Sequence, residues 1–163
     1  MSAIGSDFQR VKVGLQALMR SATDYWGTPA HVYQTLDAEF HFNFDTCPLN
    51  PEWTVDGSSI SWEGKRVFCN PPYGPGLRPF LDQAARMEAQ VSVFLIPART
   101  DTRWFHEIVL PFASEIRFIK GRLKFGDAKK SAPFPSMIVV FDRKKTGQMT
   151  LPMEENNEVQ KLR

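Results

Sequence analysis

Apolar residues recur along this sequence with two spacings, one typical of helices and the other of strands. Helical spacing is found in four segments, which are 8–19, 29–40, 77–89 and 102–110. Alternating or continuous apolar runs of the kind found in strands occupy 42–45, 66–70, 91–98, 115–125 and 135–141. Strands that alternate with helices predict an α/β fold with a mainly parallel sheet.

Two features of this order refine the predicted sheet. No helical pattern separates the segments 115–125 and 135–141, so one of these last two strands is predicted to be antiparallel. The stretch 46–69 is too short for two further strand–helix units, since one crossover with its helix takes at least ~10–12 residues. The sheet is therefore expected to be abbreviated between its first two strands.

The carboxyl ends of the first two predicted strands carry polar residues. Asp45 ends the first strand and Asn70 ends the second. Ligands of such sheets bind in a crevice outside the carboxyl ends of the strands. Both side chains are therefore expected to face one crevice.

The stretch WGTP, residues 26–29, precedes the helix that ends near residue 40. Thr28 is suited to the N-cap of that helix, and Pro29 to its first position. Val32, Leu36 and Phe40 form its apolar stripe. Trp26 can serve as a hydrophobic staple at the helix start.

Length and composition add modest limits. The chain has 163 residues, of which 42% are hydrophobic, and this suits one globular domain with its own core. We divide it into a helical extension at 1–23, a main domain at 24–141 and a polar tail at 142–163. A formal charge of +2 gives no general argument for nucleic acid, so such an argument must rest on local clusters.

The two cysteines, Cys47 and Cys69, do not have the spacing of a metal site. They indicate a reduced, cytosolic protein, and no metal is expected. No segment has the apolar character of a signal peptide or membrane span. A cytoplasmic location, without a membrane partner, is therefore expected.

The stretch FCNPPYG, residues 68–74, places two prolines and a tyrosine directly after a predicted strand. The Asn70 side-chain oxygen and the Pro71 carbonyl can both accept hydrogen bonds from a planar exocyclic amine, dispersing positive charge during alkylation. Pro72 adds no competing donor, and Tyr73 can stack on the ring that carries the amine. The alternative is an exposed polyproline segment that docks on a partner.

This stretch resembles the (D/N/S)-P-P-(Y/F/W) motif of S-adenosylmethionine-dependent amino-methyltransferases. More of the chain resembles the phage-type DNA N-6-adenine methyltransferases. The blocks that carry this resemblance are WGTP (26–29), FDTC (44–47), DGSSISW (56–62), FCNPPYG (68–74), PARTDTRWFHE (97–107), IRFIKGRLKFG (116–126) and APFPSMIVVF (132–141). The resemblance implies a Rossmann-like methyltransferase fold, S-adenosylmethionine as the donor, and an adenine of DNA as the acceptor, flipped out if the DNA is duplex.

The resemblance also implies where the donor binds, although the sequence lacks the glycine-rich FxGxG loop of the broader superfamily. The methionine end of the donor is expected near the stretch that follows the first strand, where a carboxylate can accept from the α-ammonium. The residues concerned are Asp45, Thr46, Cys47 and Pro48. Asp56 is the candidate for a contact with the adenosine end of the donor. Trp26 and Pro29 are candidates for an apolar cover over the donor, and Thr28 for a hydroxyl contact with it. Asn70 is also expected to border the donor. Asp45 can instead be an ordinary strand-end cap.

Basic residues near the predicted crevice are candidates for contacts with the DNA backbone. Arg99 follows the third strand, although it can equally pair with Asp101. By the alternation of a strand, Lys120, Arg122 and Lys124 share one face, and Gly121 between them predicts a bulge or turn. Lys129 and Lys130 follow in the next loop. The alternative is a solvated face with no partner.

The expected partner is therefore DNA, bound by a monomer or a homodimer with short or relaxed sequence specificity. Two other functions stay open. One keeps the donor and changes the acceptor to an RNA adenine, the N4 amine of cytosine or a glutamine amide, since all are planar amines. The other is a catalytically silent nucleic-acid-binding module.

Overall fold

The structure is a computed structural model that describes residues 27–49, 54–126 and 130–145. The predicted helix at 8–19 lies outside these ranges, as do Trp26 and Lys129.

Within the described residues, five strands form one mixed sheet. They are β1 (Phe44–Asp45), β2 (Arg66–Cys69), β3 (Val91–Pro97), β4 (Glu115–Phe118) and β5 (Ser136–Asp142). The order across the sheet is β1-β2-β3-β5-β4. The pairs β1–β2 and β2–β3 are parallel, whereas β5 is antiparallel to both β3 and β4. The prediction of an antiparallel C-terminal strand is thus confirmed, and the carboxyl ends of β1 to β4 meet at one edge.

Helices cover the two faces of this sheet. They are α1 (Ala30–Phe40), α2 (Leu77–Ala85) after a 3₁₀ turn at Gly74–Gly76, and α3 (Leu110–Phe112) after a π-helical turn at Phe105–Val109. A last 3₁₀ turn, Arg143–Lys145, follows β5.

The start of α1 differs from the prediction by one residue. Pro29, not Thr28, occupies the cap position, and its carbonyl accepts hydrogen bonds from the Val32 and Tyr33 amides at 3.0 and 3.1 Å. Among the residues that the structure describes, no side chain caps the N-terminus of this helix. The Thr28 hydroxyl is thus not used as a cap.

Alternating strand residues divide the core between the two faces. Odd positions of β5 and even positions of β3 pack against α2 and the π-helical turn, with Phe94, Met137 and Val139 fully buried. Phe68, Val93 and Leu95 point to the other face, where Leu36 and Phe40 of α1 cover them. Asp45 pairs with Phe68 in the β1–β2 register, so it lies on the α1 face.

The predicted strand at 115–125 is too long. β4 ends at Phe118, and the following segment, which we call the basic loop (residues 119–126), includes Gly121 at φ +81°. The bulge or turn predicted at Gly121 is thus present as a left-handed residue, a conformation that glycine adopts at little cost. The predicted alternation nevertheless persists, because Lys120, Arg122 and Lys124 are exposed while Leu123 and Phe125 are buried.

The connection between β1 and β2 is short, as predicted, and its described residues 46–49 and 54–65 contain no helix or strand. This connection contains one deeply buried side chain, because Trp62 is 1% exposed. The Trp62 indole donates to the Gly57 carbonyl at 2.9 Å. A Cβ on Gly57 would lie 2.0 Å from the Thr46 carbonyl oxygen, so this loop packs directly on the residue that follows β1.

Candidate functional site

A pocket of about 300 Å³ opens at the carboxyl ends of β1 and β2, on the face covered by α1. Its lining consists of Thr28, Ala30, Tyr33, Asp45, Cys47, Leu49, Phe68 and Asn70. The predicted crevice that joins Asp45 to Asn70 is therefore present.

The buried Asn70 side chain is held from two sides. Its Nδ2 donates to Thr28 Oγ1 at 2.9 Å, and its Oδ1 accepts from the Tyr73 hydroxyl at 3.1 Å. An amide oxygen has two lone pairs and can accept two hydrogen bonds, one of which is the bond from Tyr73.

Tyr73 lies in an aromatic cluster behind Asn70. Its ring meets those of Phe125 and Phe134 nearly edge-on, with centroid distances of 6.2 and 5.4 Å. Its hydroxyl also lies 3.5 Å from the Leu95 carbonyl oxygen. Burial raises the pKa of the Tyr73 phenol above its usual value, so the group stays protonated and donates. The neighbouring Pro71 and Pro72 are buried.

Asp45 is the acidic group of the pocket. Burial raises the pKa of its carboxyl, and a hydrogen bond from the Cys47 amide to Oδ1 at 2.9 Å opposes the shift. Burial also raises the pKa of Tyr33, with further contributions from the charges of Asp37 and Asp45. A desolvated carboxylate in a pocket is suited to a cationic ligand group.

Several lining residues were not predicted from the sequence: Ala30, Tyr33, Leu49 and Phe68. Two of them had a usable signal. Phe68 precedes Asn70 by two positions, so both belong to one face of a strand. Tyr33 follows Ala30 by three positions, which places both on one side of a helix beside Thr28. Leu49, which is 66% exposed, had no such signal.

Other residues predicted for the donor lie outside this lining. Pro29 is buried at the cap of α1, Pro48 is half-buried, and the Thr46 hydroxyl donates to the Phe68 carbonyl at 3.4 Å. Asp56 is exposed, and its Oδ1 accepts from the Ser58 amide at 2.9 Å and the Ser58 hydroxyl at 2.7 Å.

The basic loop lies at the same edge of the sheet as the pocket, because β4 runs in the same direction as β2. The Gly126 amide donates to the Gly27 carbonyl at 2.8 Å, directly beside Thr28. Lys130 and Arg99 are also exposed, and Arg99 follows the carboxyl end of β3. Arg99 and the basic loop thus lie at the same edge of the sheet, the edge where the pocket opens.

Within residues 27–49, 54–126 and 130–145, no three or more His, Cys, Asp or Glu side chains group as metal ligands would. In the same ranges, none of the helices has the length and apolar character needed to cross a bilayer.

Fold and pocket together define an α/β protein with a pocket at the carboxyl ends of its parallel strands, where such sheets bind ligands. The family model described as DNA N-6-adenine-methyltransferase (Dam) matches residues 16–162. The chain therefore belongs to this family of DNA adenine methyltransferases and is an enzyme whose family implies the use of S-adenosylmethionine. Among curated proteins, none matches this sequence.

Proposed function

We propose that this protein transfers a methyl group from S-adenosylmethionine to the N6 amine of an adenine that is flipped out of DNA. The observation that carries this proposal is that Asn70 and Asp45 line the same pocket, and that the Tyr73 hydroxyl donates a hydrogen bond to Asn70. In this proposal, Asn70 would accept from an amine and the half-buried Asp45 carboxylate would receive a cation, both at the same sheet edge. The mixed sheet is compatible with a Rossmann-like methyltransferase fold, which forms part of the proposal.

The pocket has properties that fit the donor. Its 300 Å³ is at the lower end of the range for small-molecule sites, and its lining combines apolar side chains with Thr28, Asn70 and one carboxylate. Asp45 would receive the α-ammonium of the donor, and Phe68 and Tyr33 would contact its apolar parts. When bound, the donor supplies a methyl group on positively charged sulfur; the adenine nitrogen gains the methyl, sulfur keeps the electron pair, and a proton leaves to solvent.

Asn70 and Pro71 would orient the adenine amine. Asn70 Oδ1 and the Pro71 carbonyl would accept the two amine hydrogens, which stabilises the positive charge that develops on nitrogen. Pro72 fixes the direction of the Pro71 carbonyl because its ring restricts the backbone. Tyr73 would stack on the flipped base, for which its ring must turn from its edge-on contacts with Phe134.

Mass spectrometry of nucleosides from DNA incubated with protein and S-adenosylmethionine tests this proposal. We expect N6-methyladenosine in its deoxy form, and a loss of about 100-fold or more in rate for Asn70→Ala. Methylated cytosine would redirect the proposal to another planar amine. DNA binding without donor affinity would indicate a silent module, and undiminished transfer by Asn70→Ala would refute the clamp.

The exposed basic residues would contact the DNA backbone. Arg99, Lys130 and, outside the described ranges, Lys129 belong to this proposed surface together with Lys120, Arg122 and Lys124 of the basic loop. Each lost phosphate contact should reduce the slope of log affinity against log salt concentration by about 1. We expect this for Lys120→Ala, Arg122→Ala and Lys124→Ala.

Lys144 and Lys145 provide the matched control for this experiment. Both are exposed and follow β5, which runs opposite to the other strands and ends at the far edge of the sheet. Their alanine variants should keep the salt slope of the wild type. Equal slopes for both sets of variants would show that the basic loop does not contact DNA.

A further inference from the structure

The hydrogen bond from Asn70 Nδ2 to Thr28 Oγ1 joins the Asn-Pro-Pro-Tyr stretch to the segment that precedes α1. From it we infer that Thr28 is a positioning residue that determines which end of the Asn70 amide faces the acceptor amine. This inference rests on the proposed function of Asn70. It differs from the sequence-based expectation, in which the Thr28 hydroxyl contacts the donor.

The orientation of this amide matters because its two ends have opposite hydrogen-bonding character. Oδ1 accepts from an amine, whereas Nδ2 would present its own hydrogens to the amine hydrogens. A 180° rotation of the amide would therefore replace a stabilising contact with a repulsive one. The two ends have nearly the same size, so packing alone does not fix the orientation.

The partners on either side favour the observed orientation. Tyr73 is a phenol, and a phenolic O–H is a stronger hydrogen-bond donor than an aliphatic O–H because the ring withdraws electron density from the oxygen. Its hydroxyl meets the amide oxygen at 3.1 Å, while the aliphatic hydroxyl of Thr28 meets the amide nitrogen at 2.9 Å. The stronger hydrogen-bond donor, the Tyr73 hydroxyl, thus faces Asn70 Oδ1, which accepts. The stronger hydrogen-bond acceptor, the Thr28 hydroxyl, faces Asn70 Nδ2, which donates.

Thr28 is held firmly enough to act in this way. On one side of Thr28, the Gly27 carbonyl accepts from the Gly126 amide at 2.8 Å. On the other side, α1 begins at Ala30, two residues after Thr28. A Cβ on Gly27 would lie 2.8 Å from Leu49 Cδ1 and 3.3 Å from Gly126 Cα, so the segment packs closely on both neighbours. The Thr28 hydroxyl does not cap α1, and its oxygen accepts the hydrogen bond from Asn70 Nδ2 instead.

Kinetics of three variants of the full chain test the inference. Thr28→Val keeps the shape of the side chain but removes the acceptor, and we expect kcat to fall about tenfold, with a smaller change in the donor Kd. Thr28→Ser keeps the hydroxyl and should restore most of the rate. Thr35→Val is the control, because the exposed Thr35 hydroxyl bonds only the His31 carbonyl of the same helix among the contacts described. If Thr28→Val bound S-adenosylmethionine less tightly at an unchanged kcat, the inference would be overturned, and Thr28 would contact the methyl donor instead.

A second measurement does not depend on activity. The side-chain amide signals of Asn70 in a ¹⁵N–¹H spectrum can be identified by their loss in Asn70→Asp. Thr28→Val should shift these signals, whereas Thr28→Ser and Thr35→Val should leave them close to their wild-type positions. Signals that do not move in Thr28→Val would refute the contact, even if the wild type methylates DNA. A shift in a protein without methyl transfer would instead leave the contact established and refute the proposed function.

Discussion

The Tyr73 hydroxyl donates to Asn70 Oδ1 at 3.1 Å, so the tyrosine of the Asn-Pro-Pro-Tyr stretch is tied to its asparagine. Tyr73→Phe removes this bond and keeps the ring. We expect the free energy of unfolding to fall by about 1 kcal/mol, because Oδ1 loses a partly buried donor. Methyl transfer should stay within a few-fold of the wild type, since a phenyl ring can still stack.

Tyr73→Ala is the comparison for that variant. It removes the ring as well as the hydroxyl, including the contacts with Phe125 and Phe134, so it should reduce both stability and transfer more strongly. Urea unfolding and transfer of labelled methyl groups measure the two effects. Equal transfer by the Phe and Ala variants would contradict stacking by this ring.

Asp45 is expected to trade stability for binding. Because burial raises the pKa of its carboxyl, folding loses stability as the pH rises from the ordinary carboxyl pKa through the raised one. Asp45→Asn should therefore keep or increase the free energy of unfolding at neutral pH. Its affinity for S-adenosylmethionine should fall about 10- to 100-fold, since a charge-assisted bond is lost.

Calorimetric titration with the donor checks this expectation. Asp82→Asn is the control, because Asp82 is exposed on α2 and pairs with Arg78. A large loss of stability with unchanged donor affinity would identify Asp45 as a strand-end cap instead.

Gly57→Ala should destabilise the connection between β1 and β2. Its new methyl group would lie 2.0 Å from the Thr46 carbonyl oxygen, so the backbone must move, at a cost of about 2 kcal/mol or more. Gly64→Ala is the matched control in the same connection. Nothing lies near its Cβ, and only the positive φ of +67° is unfavourable, which costs about 1–2 kcal/mol. Urea unfolding that ranks the two in the reverse order would contradict the close packing of Gly57.

The pair Glu39–Arg117 should make stability depend on pH. The hydrogen bond from Arg117 lowers the pKa of Glu39, and burial opposes this shift. The stabilisation is therefore present above the ordinary carboxyl pKa and is lost as the pH falls through the lowered one. The side chains are partly exposed, so we expect about 1 kcal/mol or less.

Glu39→Gln should remove this part of the pH dependence, and the exposed Glu63→Gln serves as its control. The measurement is urea unfolding of both variants and the wild type across the acidic range. A wild type and Glu39→Gln that lose stability in parallel on acidification would refute the contribution of this pair.

Local patterns in the sequence were sufficient for the strands that lead to the pocket. The apolar run ending at Cys69 and the polar Asn70 after it predicted both β2 and the direction of the site. The alternation of apolar residues extended the predicted β4 too far, to residue 125, although the bulge or turn predicted at Gly121 is present. The burial of Trp62 in the connection between β1 and β2 was not predicted.

Contacts between distant segments could not be predicted in this way. The bond between Thr28 and Asn70 joins residues 42 positions apart, and a sequence pattern contains no information on such a distance. The sequence instead suggested a helix cap for Thr28, which is the best local partner for a hydroxyl before a helix. The tertiary contact with Asn70 takes the place of that local one.

The position of β5 has a consequence for synthesis of the chain. This strand is the last one within the described residues, yet it lies between β3 and β4 and supplies buried residues to both faces of the sheet. Until residue 142 has left the ribosome, β4 has no neighbour and β3 has one open side. Until β5 inserts, the nascent protein must therefore keep the unpaired edges of β3 and β4 apart. A chain that stops before this point would be prone to aggregate.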